Sequence, residues 1–336
     1  MNTHLQTTKK LLDRHFHRSK QTKLAIGIYA KKESFFTSFT DEDEDLSHVS
    51  FGLGSISKTF IGAFIAKLLR DEKLQLSDTI DQFFTLNKKR FSYPTIEQLL
   101  THTSGYTFFI PKFKTLSSLF FYGFNQRNVY TRLDDEWMIK YVNKHQPARK
   151  HTYRYSDFNY ALLSKVIESV TQKNIRDVMH EFIHTELDLK QTYYKNYDET
   201  CKDPYSWKFE NNNPFVPAGC MFSTVSDMQK FMNHHLYNQH YMSYVYDKYH
   251  QTSHHDIYTG FSWNSFKNGH YYWHIGGQGY YRSYALFDTK REITVVILAT
   301  VSIDLIHIGR LGSSIYRNTK RNLAGIHELL TTYIKP

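Results

Sequence analysis

Phe51-Gly52-Leu53-Gly54-Ser55-Ile56-Ser57-Lys58-Thr59-Phe60 is the stretch on which the fold turns. A strong helix is expected to begin near Ser55, because Phe60, Ile61, Phe64, Ile65 and Leu68 recur as one apolar stripe. On a helix, residues three apart share a face, so Lys58 can reach the hydroxyl of Ser55. Serine becomes a useful nucleophile only when a neighbour takes its proton, and a desolvated lysine can act as that base or assist a tyrosinate. A helix start adds exposed N–H groups and a positive dipole end, both favourable to developing negative charge. Taken alone, the tetrapeptide reads more simply as a capping serine and a surface lysine.

Outward from this stretch the pattern is mixed. Upstream, residues 3–17 carry Leu5, Leu11, Leu12 and Phe16 at near-helical spacing. Lys23–Ala30 and Ser34–Phe39 read as strands joined by a turn at Lys31-Lys32-Glu33, and the five acids of residues 41–45 as a solvated loop. Downstream, Ile96–Leu100, Asn159–Thr171 and Thr224–Leu236 read as helices, the last capped by Ser223 or Thr224. Residues 106–150 show no clear period. Tyr258–Trp263, Tyr271–His274, Arg282–Phe287 and Ile293–Thr300 read as short strands, and Asn318–Tyr333 as a final helix. Strands at both ends around a helical middle predict an α+β fold. Residues 1–74 and 226–336 would form an antiparallel sheet flanked by helices, and 75–225 a mainly helical subdomain beside it.

Composition narrows the function. The 336 residues are 40% hydrophobic and 22% charged, enough for a sizeable core and contrary to disorder. Lys+Arg exceeds Asp+Glu by 42 to 32, which favours anionic partners, but no nucleic-acid-binding motif accompanies it, and no nucleic acid is expected. Cys201 and Cys220 make no disulfide framework. The basic N-terminal stretch lacks the apolar run of a signal peptide, and no apolar segment has spanning length, so the expectation is a soluble, cytoplasmic protein, with peripheral binding or another export route left open. His234, His235, His240, His254 and His255 lack a metal-binding spacing and read as surface histidines; neither metal nor cofactor is expected. Cys220 reads as a small buried thiol and His102 as a loop-ordering residue.

Three blocks, in order, then carry a resemblance. They are the Ser55–Lys58 segment, Tyr153-Arg154-Tyr155-Ser156-Asp157 with the helix after it, and Trp273-His274-Ile275-Gly276-Gly277. Gln98–Gly105 and Pro217–Thr224 with Asp227 add accessory matches. Together they resemble the serine β-lactamase and penicillin-binding-protein superfamily, in its class C-like branch of esterases and D-amino-acid peptidases, over about residues 20–300. The resemblance implies Ser55 as an acyl-forming nucleophile, Lys58 in its proton network, and Tyr155 as general base. It implies an oxyanion hole from the backbone N–H groups of Ser55 and Gly277. Gly276 would leave room for substrate along the strand edge, with Asp157 and His274 also facing substrate.

Two departures stand out. Asp157 replaces the usual Asn, exchanging an amide donor for a group that only accepts when ionised. Asp157 would either face substrate or pair with Lys58. His274 replaces the usual Lys and, with an ordinary pKa near 6.5, would anchor a carboxylate weakly; when protonated it would help Lys58 lower the Tyr155 pKa. The implied activity is hydrolysis of an ester or amide, including D-amino-acyl esters. Action on β-lactams or cell-wall peptides and a non-catalytic binding role are the competing readings. Weak contact with an anionic polymer or membrane surface fits the basic charge. Residues 106–150 and 195–216 are expected to shape the pocket.

Overall fold

A computed structural model of the chain describes residues 3–15, 22–40, 44–86, 92–106, 130, 133–148, 150–238, 242–246, 250–267, 269–300 and 305–334. Its frame is an eight-stranded antiparallel sheet of order β2-β1-β11-β10-β9-β8-β7-β6. The strands are β1 (Lys23–Ala30), β2 (Glu33–Phe39), β6 (His250–Gln251), β7 (Ile257–Thr259), β8 (Asn264–Phe266), β9 (Tyr271–Gln278), β10 (Tyr281–Asp288) and β11 (Ile293–Thr300). β3 (Phe51–Gly52), β4 (Tyr193–Tyr194) and β5 (Met221–Ser223) form a small second sheet in the order β3-β5-β4. The β1–β2 connection is a two-residue turn in which Lys31 and Lys32 both take positive φ, 54° and 66°, the handedness that suits a twisted hairpin.

Alternation in the central strands assigns two cores, because successive strand side chains point to opposite faces. Leu24, Ile26, Ile28, Leu286, Val295 and Ile297 face one way. They meet Leu5 and Leu12 of α1 (Thr3–His15), Ile308, Leu311 and Ile315 near the C-terminus, and Leu330 beyond them. Ala25, Tyr29, Ala285, Phe287, Val296 and Leu298 face the other way, into the larger core that holds α2 (Ser57–Arg70).

Around α2 stand α3 (Ile96–Leu100), α4 (Asp135–Lys144), α5 (Asp157–Thr171), α6 (Ile175–Glu181), α7 (Tyr197–Lys202), α8 (Val216–Gly219) and α9 (Val225–Tyr237). The chain closes on α10 (Leu305–Arg321) and α11 (Leu323–Ile334). Among the described residues no helix is long and apolar enough to cross a membrane.

Several local expectations are corrected. Helix α2 is not amphipathic: every residue from Ser57 to Ala66 is buried, as befits a helix enclosed on all sides. Tyr258–Trp263 is not one strand, since the chain turns at Gly260–Trp263 with Ser262 at φ 71°. The final helix is two, α10 starting well before Asn318 and Asn322 separating it from α11, where Asn322 Oδ1 accepts from Gly325 N–H. Helix α4 lies within a region that showed no period; Asp134 caps it, accepting from Trp137 N–H at 2.8 Å. Thr224, not Ser223, caps α9.

Candidate active site

Ser55 sits in a single 3-10 turn, Gly54–Ile56, that leads into α2. This refines the expected helix start: the serine precedes the α-helix proper. The turn is held against β9 by close backbone approach. Gly54 takes φ +52°, and a Cβ there would lie 2.4 Å from the Gly277 backbone N. A Cβ on Gly276 would lie 2.0 Å from the Leu53 carbonyl. Gly276 is therefore buried beneath the nucleophile's own turn, which corrects the expectation that it makes room for substrate. Beyond Trp273, among the described residues, β9 has no strand partner on the side away from β10, because β8 pairs only with Tyr272 and Trp273. The Ser55 turn abuts this stretch, with Gly277 beside Gly54.

Lys58, one turn into the segment, is fully buried. Its Nζ donates to Ser55 Oγ at 3.1 Å and to the Ala218 carbonyl at 2.7 Å, and forms an ion pair with Asp157 Oδ1 at 2.6 Å. Desolvation holds the Lys58 pKa below its usual value, with Asp157 opposing the shift. The other Asp157 oxygen accepts from the hydroxyl of Tyr130, a residue with no signal in the sequence reading. Asp157 thus pairs with Lys58, as one expectation held. Both its oxygens are engaged internally.

Tyr155 donates its hydroxyl to Ser55 Oγ at 2.7 Å and remains 37% exposed, so its edge is open to the cleft. Desolvation, then the Asp157 carboxylate, raises its pKa well above the usual 10. The shift runs opposite to the expected lowering by positive charge, with burial as its first cause and the Asp157 carboxylate as its second. His274 supplies no charge either. It is 4% exposed, its Nδ1–H donates to the Ile275 carbonyl at 2.9 Å, and desolvation, then Lys58, lowers its pKa to about 3.

His102 orders this side of the site, as the sequence suggested. At φ 57°, its Nδ1 accepts from Ser156 N–H at 3.2 Å, and its carbonyl accepts from Arg154 N–H at 2.8 Å. Its ring lies 4.5 Å from that of Tyr155.

A cleft of about 470 Å³ opens over Ser55, Tyr153 and Tyr155. Thr252, Ser253, His254 and Asn264 form its far wall, with Trp273, Ile275 and Leu305 alongside. Among the described residues neither expected pocket segment, 106–150 or 195–216, lines this cleft; residues 107–129 lie outside the described residues. Of the expected surface histidines, His254 is exposed and lines the cleft, His235 is buried instead, and His240 lies outside the described residues. Among the described residues no group of three or more His, Cys, Asp or Glu could hold a metal ion. Cys220 is buried, with its thiol pushed up to about 12 by desolvation.

Comparison with known proteins gives a family and a fold. A family model described as Beta-lactamase matches residues 48–304. Protein flp of Staphylococcus aureus (strain MW2) is 24% identical over 284 residues, 76% of this chain and 54% of that protein. Teichoic acid D-alanine hydrolase of Staphylococcus aureus is 25% identical over 197 residues, 54% of this chain and 45% of that protein. The chain spans about half the length of these curated relatives. Among solved structures, the beta-lactamase/D-alanine carboxypeptidase from Pseudomonas syringae superposes with a TM-score of 0.76 at 17% identity, covering 94% of this chain and 98% of that one. That likeness shows the fold.

Proposed function

Because the chain belongs to the beta-lactamase family, we propose that it is a serine hydrolase that cleaves a carboxylic ester, of the D-amino-acyl type, through an acyl-Ser55 intermediate. The observation that carries this reading is Ser55 Oγ, at the mouth of a cleft, within 3.1 Å of Lys58 Nζ and 2.7 Å of Tyr155 OH.

The protonation states suggest how labour divides. Tyr155 takes the proton of Ser55 as Oγ bonds to the acyl carbon and gives its own proton to the departing alkoxide as the C–O bond breaks, while Lys58 stays paired with Asp157 and hydrogen-bonded to Ser55 Oγ. Water then attacks the acyl carbon and loses a proton to Tyr155 as Tyr155 returns its own to Ser55 Oγ. The backbone N–H groups of Ser55 and Gly277 are the proposed oxyanion donors, a role that depends on their aim at the transition-state oxygen.

Substrate class follows from what the site withholds. A neutral His274 gives no cation for a free carboxylate, and an internally paired Asp157 gives no amide donor for an acylamide chain. An ester asks for neither. The name of the relative teichoic acid D-alanine hydrolase supports a D-alanyl ester, and the +10 charge supports an anionic polymer as its carrier.

Labelling tests the reading. A fluorophosphonate is expected to modify Ser55, located by mass spectrometry, and Ser55→Ala to abolish both label and ester turnover. Labelling by a fluorescent penicillin as well would move the assignment to a β-lactam-binding peptidase. Absence of any label together with absence of ester turnover would leave a non-catalytic binding protein.

A further inference from the structure

The Lys58–Asp157 pair is held from outside the three sequence blocks. Tyr130 donates its hydroxyl to Asp157 Oδ2, while Oδ1 faces Lys58 Nζ at 2.6 Å. Tyr130 is itself gripped by a distant segment. Its carbonyl accepts from Asn213 Nδ2 at 2.8 Å, and its ring stacks on Phe215 with centroids 4.2 Å apart and planes 10° from parallel. Asn213 Oδ1 accepts from Phe215 N–H at 3.0 Å, which fixes that turn. Three residues later, the Ala218 carbonyl takes a hydrogen bond from Lys58. Residues 213–218 therefore hold the lysine twice, directly through Ala218 and indirectly through Tyr130 and Asp157.

We propose that Tyr130 is a positioning residue for the Lys58–Asp157 pair: its hydroxyl fixes the carboxylate with Oδ1 on Lys58 and keeps Asp157 turned from substrate. The proposal rests on the serine-hydrolase reading above. It depends on Asp at this position, because an ionised carboxylate must be given donors on both oxygens when it is buried beside a lysine. Lys58, Tyr130, Tyr155 and His274 are the titratable groups that bear on Asp157. Of these, Tyr130 and Lys58 are the two that hold its carboxylate oxygens.

Tyr130→Phe keeps the stacked ring and removes only the donor. The expected result is a fall of roughly tenfold or more in the rate of Ser55 phosphonylation and in kcat, from loss of a hydrogen bond to a charged group. KM should be little changed. That split, kcat against KM, separates positioning of the pair from substrate binding. In an Asp157→Asn background the same substitution should add nothing, because the partner it acts through is gone. An unchanged kcat and phosphonylation rate in Tyr130→Phe, with the wild type labelled normally, would overturn the proposal. An equal loss in the Asp157→Asn background would also overturn it, as damage unrelated to the pair. An unlabelled wild type would instead defeat the hydrolase reading beneath it.

Discussion

His235 is enclosed by aromatic rings and finds no polar contact. It lies stacked on Phe287 at 4.6 Å and edge-on to Trp263 at 5.1 Å, and neither ring nitrogen has a hydrogen-bond partner among the described residues. A buried imidazole without partners carries an uncompensated desolvation cost. His235→Phe should therefore raise the thermal midpoint, by an amount corresponding to about 1–3 kcal/mol. His274 allows a separate test. With its pKa lowered to about 3, it stays neutral across the working range. His274→Gln should leave the position of the rate profile's limbs between pH 5 and 8 unchanged, whatever it does to the rate; a shifted limb would return His274 to the titrating set. At this scale the sequence was a good guide to identity and a poor one to state. Ser55, Lys58, Tyr155 and Asp157 come together as their blocks implied. The protonation of Tyr155 and His274 depends on burial, and the pairing of Asp157 depends on Tyr130, 27 residues upstream. Neither leaves a local pattern.

Elements were legible where their period met one clear boundary. β1, β11 and α3 match their sequence expectations at both ends because a continuous apolar, β-branched run or a capping box defines them. α10 begins at Leu305 rather than at Asn318, and Gly312 within it serves packing. A Cβ there would come within 2.3 Å of the Tyr284 ring, so the glycine lets the helix lie close on β10. Gly312→Ala should cost about 1–3 kcal/mol through overpacking, read as a lower denaturant midpoint. At the β1–β2 turn the opposite change is available. Lys31-Lys32→Asn-Gly supplies residues that accept positive φ and should stabilise the hairpin by about 0.5–1 kcal/mol. The cleft wall at 252–264 was missed for a different reason: it is made of short strands and turns whose place in the sheet is set by β9, not by their own composition.

For the whole molecule, buried histidines give acid sensitivity a definite sign. His235 and His274 are lowered from 6.5 to about 3, mainly by desolvation. Between these values the unfolded chain binds protons that the folded chain does not, so stability falls as pH drops from about 6.5 and the loss levels off near 3. Each histidine adds a slope approaching about 1.4 kcal/mol per pH unit within that window. Chemical denaturation at pH 7, 6, 5 and 4 measures it, and His235→Phe should remove one histidine's share.

The sheet order also dictates a schedule. β1 lies between β2 and β11, with Ile26 opposite Ile297. The first hairpin can form before the rest of the sheet, but its inner edge stays bare until residues 293–300 have been made. Such distant pairing slows folding and leaves an apolar strand exposed to other chains meanwhile. Yield from dilute refolding should therefore exceed that from concentrated refolding, and the last strand to arrive, β11, is the one that closes the molecule.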